Sequence, residues 1–331
     1  MITATATDLA FDVRGLRKTY GTNTVLDGID LRIKRGSVFA LLGPNGAGKT
    51  TTVQILATLI KADGGTAMVG GHSVTEEPGR VRRTIGVTGQ FSAVDELLTG
   101  AENLRLMARL RHLPKDRREE LVERLLRQFD LVEAATRPAA AYSGGMRRRL
   151  DLAMTLVGNP QIIFLDEPTA GLDPRSRRAV WDTVRTLVAG GVTLFLTTQY
   201  LEEADQLADR VAVLDGGRIV AEGAPAELKA TVGEEHLRLR FATADQAVRA
   251  QAVLTAVVGA GLPASGDELE IRVPTPANGA AVRGVLNALA DAGLEPAEVT
   301  TATPDLDDVF FALTGSPTSE TPASDSSREE S

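Results

Sequence analysis

Cysteine is absent from the 331-residue chain, and histidine and tyrosine occur only three times each. Without cysteine the chain cannot form a disulfide framework, a cysteine-ligated zinc or iron–sulfur site, or a thiol nucleophile. No two of the histidines, His72, His112 and His236, stand at the spacing of a metal site, and their sequence settings predict surface positions. Catalysis by a chain of this composition must therefore rest on other side chains.

Long apolar segments are also missing. No run approaches the roughly 18 residues that a membrane-spanning helix needs. The N-terminal sequence MITATATDLA lacks the basic segment followed by an apolar one that marks a secretory signal. These absences predict a cytosolic protein, held at a membrane only if a partner holds it there.

Charge is distributed unevenly. Beyond residue 225 lie 17 of the 44 acidic residues but only 7 of the 36 lysines and arginines, so residues 1–225 carry +2 and the remainder −10. A nucleic-acid-binding protein driven by bulk charge would instead be basic. At about 150 residues per domain, the length predicts two domains.

The first 225 residues have the pattern of a parallel α/β core. Ile29, Leu31 and Ile33 alternate with charged residues, as in a half-buried strand. Continuous apolar runs, typical of strands covered on both faces, occur at residues 38–42, 162–165, 192–196 and 211–214. Helical stretches separate these runs, which favours a parallel sheet. Residues 91–158, rich in Leu, Arg and Glu at helical spacing, predict an inserted helical subdomain.

A second pattern begins after Gly223 and predicts a small α/β domain over residues 226–315. Strands are predicted at 236–242 and 268–273, and helices at 282–289 and 305–313. Asp305 follows Pro304 and is suited to cap the last helix, which Gly315 follows. Residues 316–331 contain no large apolar residue and predict a disordered tail.

A glycine-rich segment follows the first continuous apolar run. Residues 43–50 read Gly-Pro-Asn-Gly-Ala-Gly-Lys-Thr and match the pattern G-x-x-x-x-G-K-[ST]. The glycines let backbone N–H groups point inwards around a phosphate, Lys49 adds a positive charge, and the Thr50 hydroxyl can coordinate Mg²⁺. A helix predicted over 49–59 directs its N-terminal dipole at the same anion. Because a strand and a helix flank it, a mere glycine-rich turn is the weaker interpretation.

An acidic pair ends the second continuous run. Mg²⁺ needs oxygen ligands beyond one hydroxyl and the phosphates, and Asp166 and Glu167 supply carboxylates directly after IIFL. Neighbouring residues at a strand end point in different directions, so Asp166 is expected to hold the metal's water shell and Glu167 to face the attacking water. Alone, such a pair is usually a solvated strand end. Together with the Lys49 loop it indicates nucleotide hydrolysis.

Two further segments stand in a recognisable order around this pair. YSGGM at 142–146 precedes Asp166, and AGLDP at 170–174 follows it. In this order the motifs resemble the ATP-binding cassette of ABC transporters over roughly residues 9–225. The resemblance implies a P-loop NTPase fold, with a parallel core sheet, an antiparallel β subdomain and the inserted helical subdomain, and a nucleotide-binding domain spanning residues 8–225.

The resemblance also implies roles for individual residues. The ATP-binding residues would be Tyr20, Gly43, Pro44, Asn45, Gly46, Ala47, Gly48, Lys49, Thr50 and Thr51. The signature residues, which would cap the γ-phosphate of an ATP held by another subunit, are Tyr142, Ser143, Gly144, Gly145 and Met146. Metal ligands would be Thr50, Gln90 and Asp166, catalytic residues Glu167 and Gln199, and the D-loop residue Asp173. Tyr20 would stack on adenine, although an exposed strand-end tyrosine is the alternative.

One P-loop and one signature per chain imply a homodimer that closes head to tail around two ATP molecules with Mg²⁺. The missing membrane span implies a separate transmembrane permease, docked around residues 90–103, with the chain on the cytoplasmic face of the membrane. No nucleic-acid partner is expected. The run Arg147-Arg148-Arg149 is interpreted as solvated or intersubunit contacts of the signature helix, because aromatic residues are not interleaved with it.

Three positions depart from the common family pattern. The signature begins with Tyr142 in place of Leu and ends with Met146 in place of Gln. Gln199 stands where most relatives carry a switch histidine. A neutral amide can still donate to the γ-phosphate, so we expect a working switch without a histidine ionisation near pH ~6.5. The alternative, a degenerate site that does not hydrolyse ATP, conflicts with the intact Glu167.

The segments TGQ, YSGGMRRRLD, TTQYLEEADQLADR and LDDVFFALTG resemble the daunorubicin-resistance branch, the ATP-binding subunits of bacterial drug exporters. This closer resemblance extends through Leu306 to Gly315 and favours a motor subunit for drug efflux. A soluble ABC ATPase acting on ribosomes or DNA is the alternative, but its usual second cassette or long coiled coil is not visible. ATP-gated drug binding without transport is a weaker third interpretation.

Overall fold

The structure is a computed structural model, and it describes residues 8–89, 93–231, 236–258, 262, 267–274, 279–302 and 305–314. The chain divides into two compact units whose boundary falls between Pro225 and Ala226. Gln90 and the predicted tail, residues 316–331, lie outside the described residues. Within the described ranges, no helix combines the length and apolarity that crossing a bilayer requires.

The first unit alternates strands and helices along the chain. Its elements are β1 (Leu9–Tyr20), β2 (Asn23–Lys34), β3 (Val38–Leu42), α1 (Lys49–Leu56), β4 (Gly64–Val69), β5 (His72–Ser73), α2 (Pro78–Thr84), β6 (Ile85–Thr88), α3 (Gly100–Leu110), α4 (Lys115–Gln128), α5 (Gly144–Leu156), β7 (Ile162–Asp166), α6 (Pro174–Ala189), β8 (Thr193–Thr198), α7 (Leu201–Leu207), β9 (Arg210–Asp215) and β10 (Arg218–Gly223).

A six-stranded sheet forms the centre of this unit, in the order β10-β9-β3-β8-β7-β6. All its neighbouring pairs are parallel except β9 with β10. Every residue of β3, β7 and β8 is buried, as their continuous apolar runs predicted. Because the strands are parallel, their carboxyl ends share one edge of the sheet. The residues that follow β3, β7 and β8 therefore lie at that edge.

A second, antiparallel sheet has the order β2-β1-β4-β5. Phe11 of β1 packs against Phe164 and Phe195 of the central sheet, with ring centroids 5.5 and 5.4 Å apart. These rings belong to one buried core that joins the two sheets. The antiparallel β subdomain and the parallel core are thus both present, as expected.

The segment between β6 and β7 is helical, which confirms the character predicted for it. Thr99 caps α3 by accepting a hydrogen bond from Glu102 N, and the Glu102 carboxylate accepts one from Thr99 N in return. Leu121 and Leu125 on the buried face of α4 lie within this subdomain. The helix predicted over residues 49–59 is shorter than expected. It ends at Leu56, because Thr58 adopts a left-handed φ of 63°.

The second unit is a small α/β domain. Its elements are α8 (Pro225–Thr231), which begins at the boundary, β11 (His236–Arg240), α9 (Ala244–Val258), β12 (Glu270–Pro274), α10 (Gly279–Asp291), β13 (Glu298–Ala302) and α11 (Leu306–Thr314). The antiparallel sheet has the order β12-β11-β13, and alternate residues such as Leu237 and Val273 form a core with residues of α9 and α10. Asp305 caps α11 by accepting a hydrogen bond from Asp308 N at 2.9 Å, which confirms the predicted cap.

The predicted surface position of His236 is wrong. The side chain is only 7% exposed at the start of β11, and Arg238 Nε donates to its Nε2 at 3.4 Å. Burial lowers the pKa of His236, and the neighbouring positive charges of Arg238 and Arg272 lower it further. The polar residues next to His236 in the sequence gave no sign that the start of β11 is buried.

Candidate nucleotide-binding site

The glycine-rich loop connects β3 to α1 at the carboxyl edge of the central sheet. Gly46 and Gly48 adopt φ angles of 82° and 108°, a region that favours glycine. A Cβ atom on Gly48 would lie 2.7 Å from Leu26 Cδ2 and 2.9 Å from Val25 O, and one on Gly43 only 2.3 Å from Leu214 O. The loop therefore requires glycine both for its backbone conformation and for its close packing. Pro44 to Gly46 remain exposed, whereas Ala47 is buried.

Lys49 begins α1 and is 4% exposed. Its Nζ donates to Gly43 O at 2.7 Å and to Pro44 O at 3.1 Å, and it lies 3.6 Å from Glu167 Oε1. Burial lowers the pKa of Lys49, while the carboxylate of Glu167 acts in the opposite direction. The ammonium group is thus held under the loop by carbonyl oxygens, which an incoming phosphate oxygen can replace as hydrogen-bond acceptors.

Asp166 is the last residue of β7 and is buried. Its Oδ1 accepts a hydrogen bond from Thr50 Oγ1 at 3.3 Å and a second one from Thr197 Oγ1. The hydroxyl of Thr50 and the carboxylate of Asp166 are hard oxygen donors, held next to each other beside the phosphate loop. This donor set fits Mg²⁺, which prefers one or two carboxylates together with phosphate and water oxygens. Thr51 follows Thr50 in the first turn of α1 and is partly buried.

Glu167 has a left-handed φ of 47°, which is uncommon for a residue other than glycine. Its amide donates to Thr197 O at 3.0 Å and to Thr197 Oγ1 at 3.2 Å, and these bonds hold the turn. Strained backbone of this kind tends to occur where a side chain must be aimed. In this turn the Glu167 carboxylate faces Lys49, whereas Asp166 faces Thr50, as the alternation at a strand end predicted.

The signature residues divide into exposed and buried groups. Ser143 caps α5 by accepting a hydrogen bond from Met146 N at 3.2 Å, and Ser143 and Gly144 are exposed. Tyr142 instead is 5% exposed, and its hydroxyl donates to Ala134 O at 2.7 Å inside the helical subdomain. The free N-terminus of a 13-residue helix, with a serine beside it, can bind an anion. Tyr142 therefore anchors the signature segment in the helical subdomain and does not contribute to its exposed surface.

The D-loop segment contacts the signature. Asp173 caps α6 by accepting hydrogen bonds from Arg175 N and Ser176 N, and these and the Ser176 hydroxyl lower its pKa. A Cβ atom on Gly145 would lie 2.7 Å from Ser176 Oγ, so the start of α5 packs closely on the start of α6. Lys49, Thr50, Asp166 and Glu167 thus meet at one place, and the signature residues meet the D-loop segment.

Tyr20 and Gln199 are placed less distinctively. Tyr20 ends β1 with 48% of its surface exposed, and Lys18 Nζ lies 5.3 Å from the centre of its ring. Gln199 follows β8 directly and is partly exposed, next to Tyr200, whose ring lies 4.8 Å from the Arg177 guanidinium carbon. An exposed aromatic ring is compatible with base stacking, and Gln199 follows the same sheet edge as Glu167.

Three buried polar residues near the site carry contacts that motif reasoning missed: Thr197, Arg148 and Glu203. The carboxylate of Glu203 on α7 accepts hydrogen bonds from Thr169 Oγ1 at 2.9 Å and Trp181 Nε1 at 3.2 Å, and burial raises its pKa. Arg148 is buried in α5, so its assignment to solvated or intersubunit contacts is wrong. The sequence offered one signal of these buried contacts: Thr197 is a polar residue at the end of an apolar strand.

Known proteins are similar in sequence to this chain over most of its length. A family model described as ABC transporter matches residues 26–170. The daunorubicin resistance ATP-binding protein DrrA3 of Streptomyces coeruleorubidus is 48% identical over 308 residues, 93% of this chain and 96% of that protein. The daunorubicin/doxorubicin resistance ATP-binding protein DrrA of Streptomyces peucetius is 48% identical over 323 residues, 97% of each chain.

The fold is also found in solved structures. The dimeric post-hydrolysis state of the ATP-binding cassette MJ0796, bound to ADP and Pi, superposes with a TM-score of 0.59 at 25% sequence identity. The match covers 65% of this chain and 98% of that one. The chain therefore belongs to the ATP-binding proteins of ABC transporters, in their daunorubicin-resistance branch.

Proposed function

We propose that this ABC ATPase is the motor subunit that powers drug export through a separate membrane permease. The observation that carries the proposal is the meeting of Lys49, Thr50, Asp166 and Glu167 at the carboxyl edge of the central sheet. Nucleotide binding is assigned to residues 8–225, and residues 226–315 form an appended domain. The drug-resistance names of two relatives that are 48% identical support the exported class.

The phosphate loop binds ATP through its backbone and through Lys49. In the proposed bound state, the Nζ of Lys49 donates to a phosphate oxygen instead of to Gly43 O and Pro44 O. The N-terminus of α1 adds N–H groups aimed at the same anion. Tyr20, exposed at the end of β1, stacks on the adenine.

Thr50, Asp166 and Gln90 are proposed to hold Mg²⁺, which supplies charge neutralisation of the phosphates when it is bound. Thr197 donates a hydrogen bond to one carboxylate oxygen of Asp166. This bond fixes the orientation of the carboxylate and therefore the direction of its second oxygen. Glu167 orients the attacking water and accepts its proton, because its left-handed turn holds the carboxylate at the phosphate loop. Gln199 donates a hydrogen bond to the γ-phosphate from the end of β8.

Two chains are proposed to close head to tail, each signature capping the ATP that the other chain binds. Each chain has one phosphate loop and one signature. Ser143 and Gly144 are exposed at the N-terminus of α5, where the helix dipole favours the γ-phosphate. The related cassette MJ0796 has been solved as a dimer with ADP and Pi. Asp173 lies beside this surface through its contact with Ser176.

The membrane partner is proposed to dock on the helical subdomain near residues 93–103. Leu97 there is 89% exposed, although most large apolar residues of the unit are covered. The chain would thereby lie peripherally on the cytoplasmic face of the membrane. Fractionation of cells with and without a co-expressed permease tests this placement. Sedimentation with membranes only in the presence of the permease is expected, and a chain that stays soluble in both cases refutes it.

Lys49→Ala tests the nucleotide site itself. ATP present at 100 times its Kd stabilises a native protein by about 2.7 kcal/mol, and Lys49→Ala should abolish this stabilisation. Lys61→Ala, which removes an exposed lysine beyond the end of α1, is the matched control and should keep it. Thermal unfolding with and without ATP measures both. Equal ATP stabilisation of the two variants would contradict the proposed site.

A further inference from the structure

Arg147, Arg148 and Arg149 are consecutive in α5, but they have different environments. Arg147 Nη1 lies 3.2 Å from Glu96 Oε1, and its side chain is about one third exposed. Arg149 Nη1 donates to Asp130 Oδ2 at 2.9 Å, and that aspartate is almost fully exposed. Arg148 points inwards and is buried. The helix thus turns one of three chemically identical side chains into the interior and leaves two matched neighbours near the surface.

Arg148 contacts three parts of the unit. Its Nη1 donates to Gly89 O at 3.1 Å and to Asp151 Oδ2 at 3.3 Å, and its Nη2 donates to Asp166 O at 3.3 Å. Asp151, one turn along α5 and also buried, accepts a hydrogen bond from Ala93 N through Oδ1 at 3.3 Å. The pair therefore contacts Gly89 and Ala93, the described residues that precede and follow residues 90–92, and it contacts the end of β7.

Burial makes this pair sensitive to loss of either member. A buried charge without its partner is costly, so the guanidinium and the carboxylate must keep both each other and their backbone contacts. The rigid guanidinium fork fixes the direction of each hydrogen bond. α5 begins at the signature, so the helix that carries Ser143 at its N-terminus is also bonded, through Arg148, to Gly89 O and Asp166 O.

We propose that Arg148 and Asp151 are positioning residues that link the metal-binding edge of one ATP site to the signature that serves the other. This inference rests on the proposed function, because only a head-to-tail dimer places the two ends of the link in different ATP sites. The chain's own site includes Asp166 and the flanks of Gln90, and its signature caps the partner's nucleotide. The pair thus makes closure of one site depend on the state of the other.

The test compares Arg148→Gln with Arg149→Gln in the intact chain, because Arg149 is the neighbouring arginine of α5 that pairs with Asp130 of the same chain. Equilibrium binding of radiolabelled ATP at dilute protein concentration reports the site within one chain. Sedimentation velocity with ATP and Mg²⁺, in a Glu167→Gln background that slows hydrolysis, reports closure of the dimer. Arg148→Gln should keep the Kd for ATP within about twofold, weaken ATP-driven dimerisation at least tenfold and lower the Hill coefficient of ATP hydrolysis towards 1. The control variant Arg149→Gln should stay within about twofold in every measurement.

Asp151→Asn and the double variant separate a link from a merely structural role. Asp151→Asn keeps an acceptor for Ala93 N but leaves Arg148 unpaired, so it should weaken dimerisation while retaining ATP binding. In Arg148→Gln/Asp151→Asn no charge is left buried and unpaired, so its defect should be smaller than the product of the single defects. If Arg148→Gln fails to fold and therefore binds no ATP, the double variant supplies the dimerisation test.

The outcomes of these experiments distinguish failure of the link through Arg148 and Asp151 from failure of the proposed function on which it rests. If Arg148→Gln dimerises with ATP like Arg149→Gln, or if the defects of Arg148→Gln and Asp151→Asn multiply fully, the link is overturned. If the unaltered chain shows no ATP binding that Lys49→Ala removes, the proposed function fails first. Weakened dimerisation with retained ATP binding, combined with partial recovery in the double variant, supports the link.

Discussion

Replacement of Glu167 by glutamine should strengthen ATP binding while it slows hydrolysis. Glu167 Oε1 lies 3.6 Å from Lys49 Nζ, and both side chains are largely buried. In the chain without nucleotide, this carboxylate therefore competes for the ammonium group that the phosphate needs. It also places a negative charge beside the position of the γ-phosphate. Glutamine preserves the size of the side chain and removes both electrostatic effects.

The magnitude follows from this separation. At an effective dielectric constant of about 20, two unit charges 3.6 Å apart interact with about 5 kcal/mol, which is the gross attraction between Lys49 and Glu167. Most of this attraction does not become a gain in ATP affinity, because glutamine still accepts a hydrogen bond from Lys49 and because buried Lys49 loses its counter-ion. We expect a net gain of about 1.4 kcal/mol, a Kd for ATP lowered about tenfold. Loss of the group that accepts the water's proton should lower kcat about 10²- to 10⁴-fold.

Equilibrium binding of labelled ATP and steady-state ATP hydrolysis measure the two effects. Glu202→Gln is the control, because Glu202 is an exposed carboxylate that lies outside the phosphate loop, 3.7 Å from Arg177. It should change neither quantity by more than about twofold. An unchanged or higher Kd in Glu167→Gln would refute the electrostatic argument, even if hydrolysis were lost.

Three further changes probe other positions. Gln199→His should add a histidine titration near pH ~6.5 to the rate of ATP hydrolysis, and a comparison of the pH–rate profiles before and after the substitution measures it. Tyr142→Phe removes one buried hydrogen bond, to Ala134 O, so urea unfolding should show a loss of about 1 kcal/mol while the Kd for ATP stays unchanged. The pKa of His236 is lowered in the folded chain, so the unfolded chain binds more protons below pH ~6.5 and unfolding should become easier as pH falls through that value; His236→Gln should flatten this dependence.

Each of these expectations has an outcome that contradicts it. Identical pH–rate profiles before and after Gln199→His would mean that this position does not take part in hydrolysis. A large rise in the Kd for ATP in Tyr142→Phe would show that the hydroxyl acts on nucleotide and not on the helical subdomain. Equal pH dependence of urea unfolding with and without His236 would place the titrating groups elsewhere.

The sequence predicted those parts of the fold and site that depend on local patterns. Continuous apolar runs identified β3 and β7, because strands covered on both faces need no polar side chains. The loop before Lys49 was found because its conformation and packing require glycine at fixed positions. The pair Asp166 and Glu167 was found because strand ends at one sheet edge are close together in space.

Other features depended on neighbours distant in sequence. β1 pairs with its neighbour β2 but also with β4, which lies beyond β3 and α1 in the sequence, and the mixed residues of β1 and β4 gave no clear alternation. α9 buries alanines more than large apolar residues, so its stripe was weak. Arg148 and His236 are polar residues whose burial is decided by tertiary packing, and a charge run or a lone histidine does not reveal this. The roles of individual site residues thus still await the measurements above.

The single tryptophan of the chain has a practical consequence. Trp181 lies on α6, which begins at the D-loop, and its indole N–H bonds Glu203 on α7, which begins just after Gln199. The ring is almost completely covered, so its emission depends on this one contact and on the packing around it. A change at the contact between α6 and α7 can therefore be followed through intrinsic fluorescence, with no attached dye and no background from a second indole.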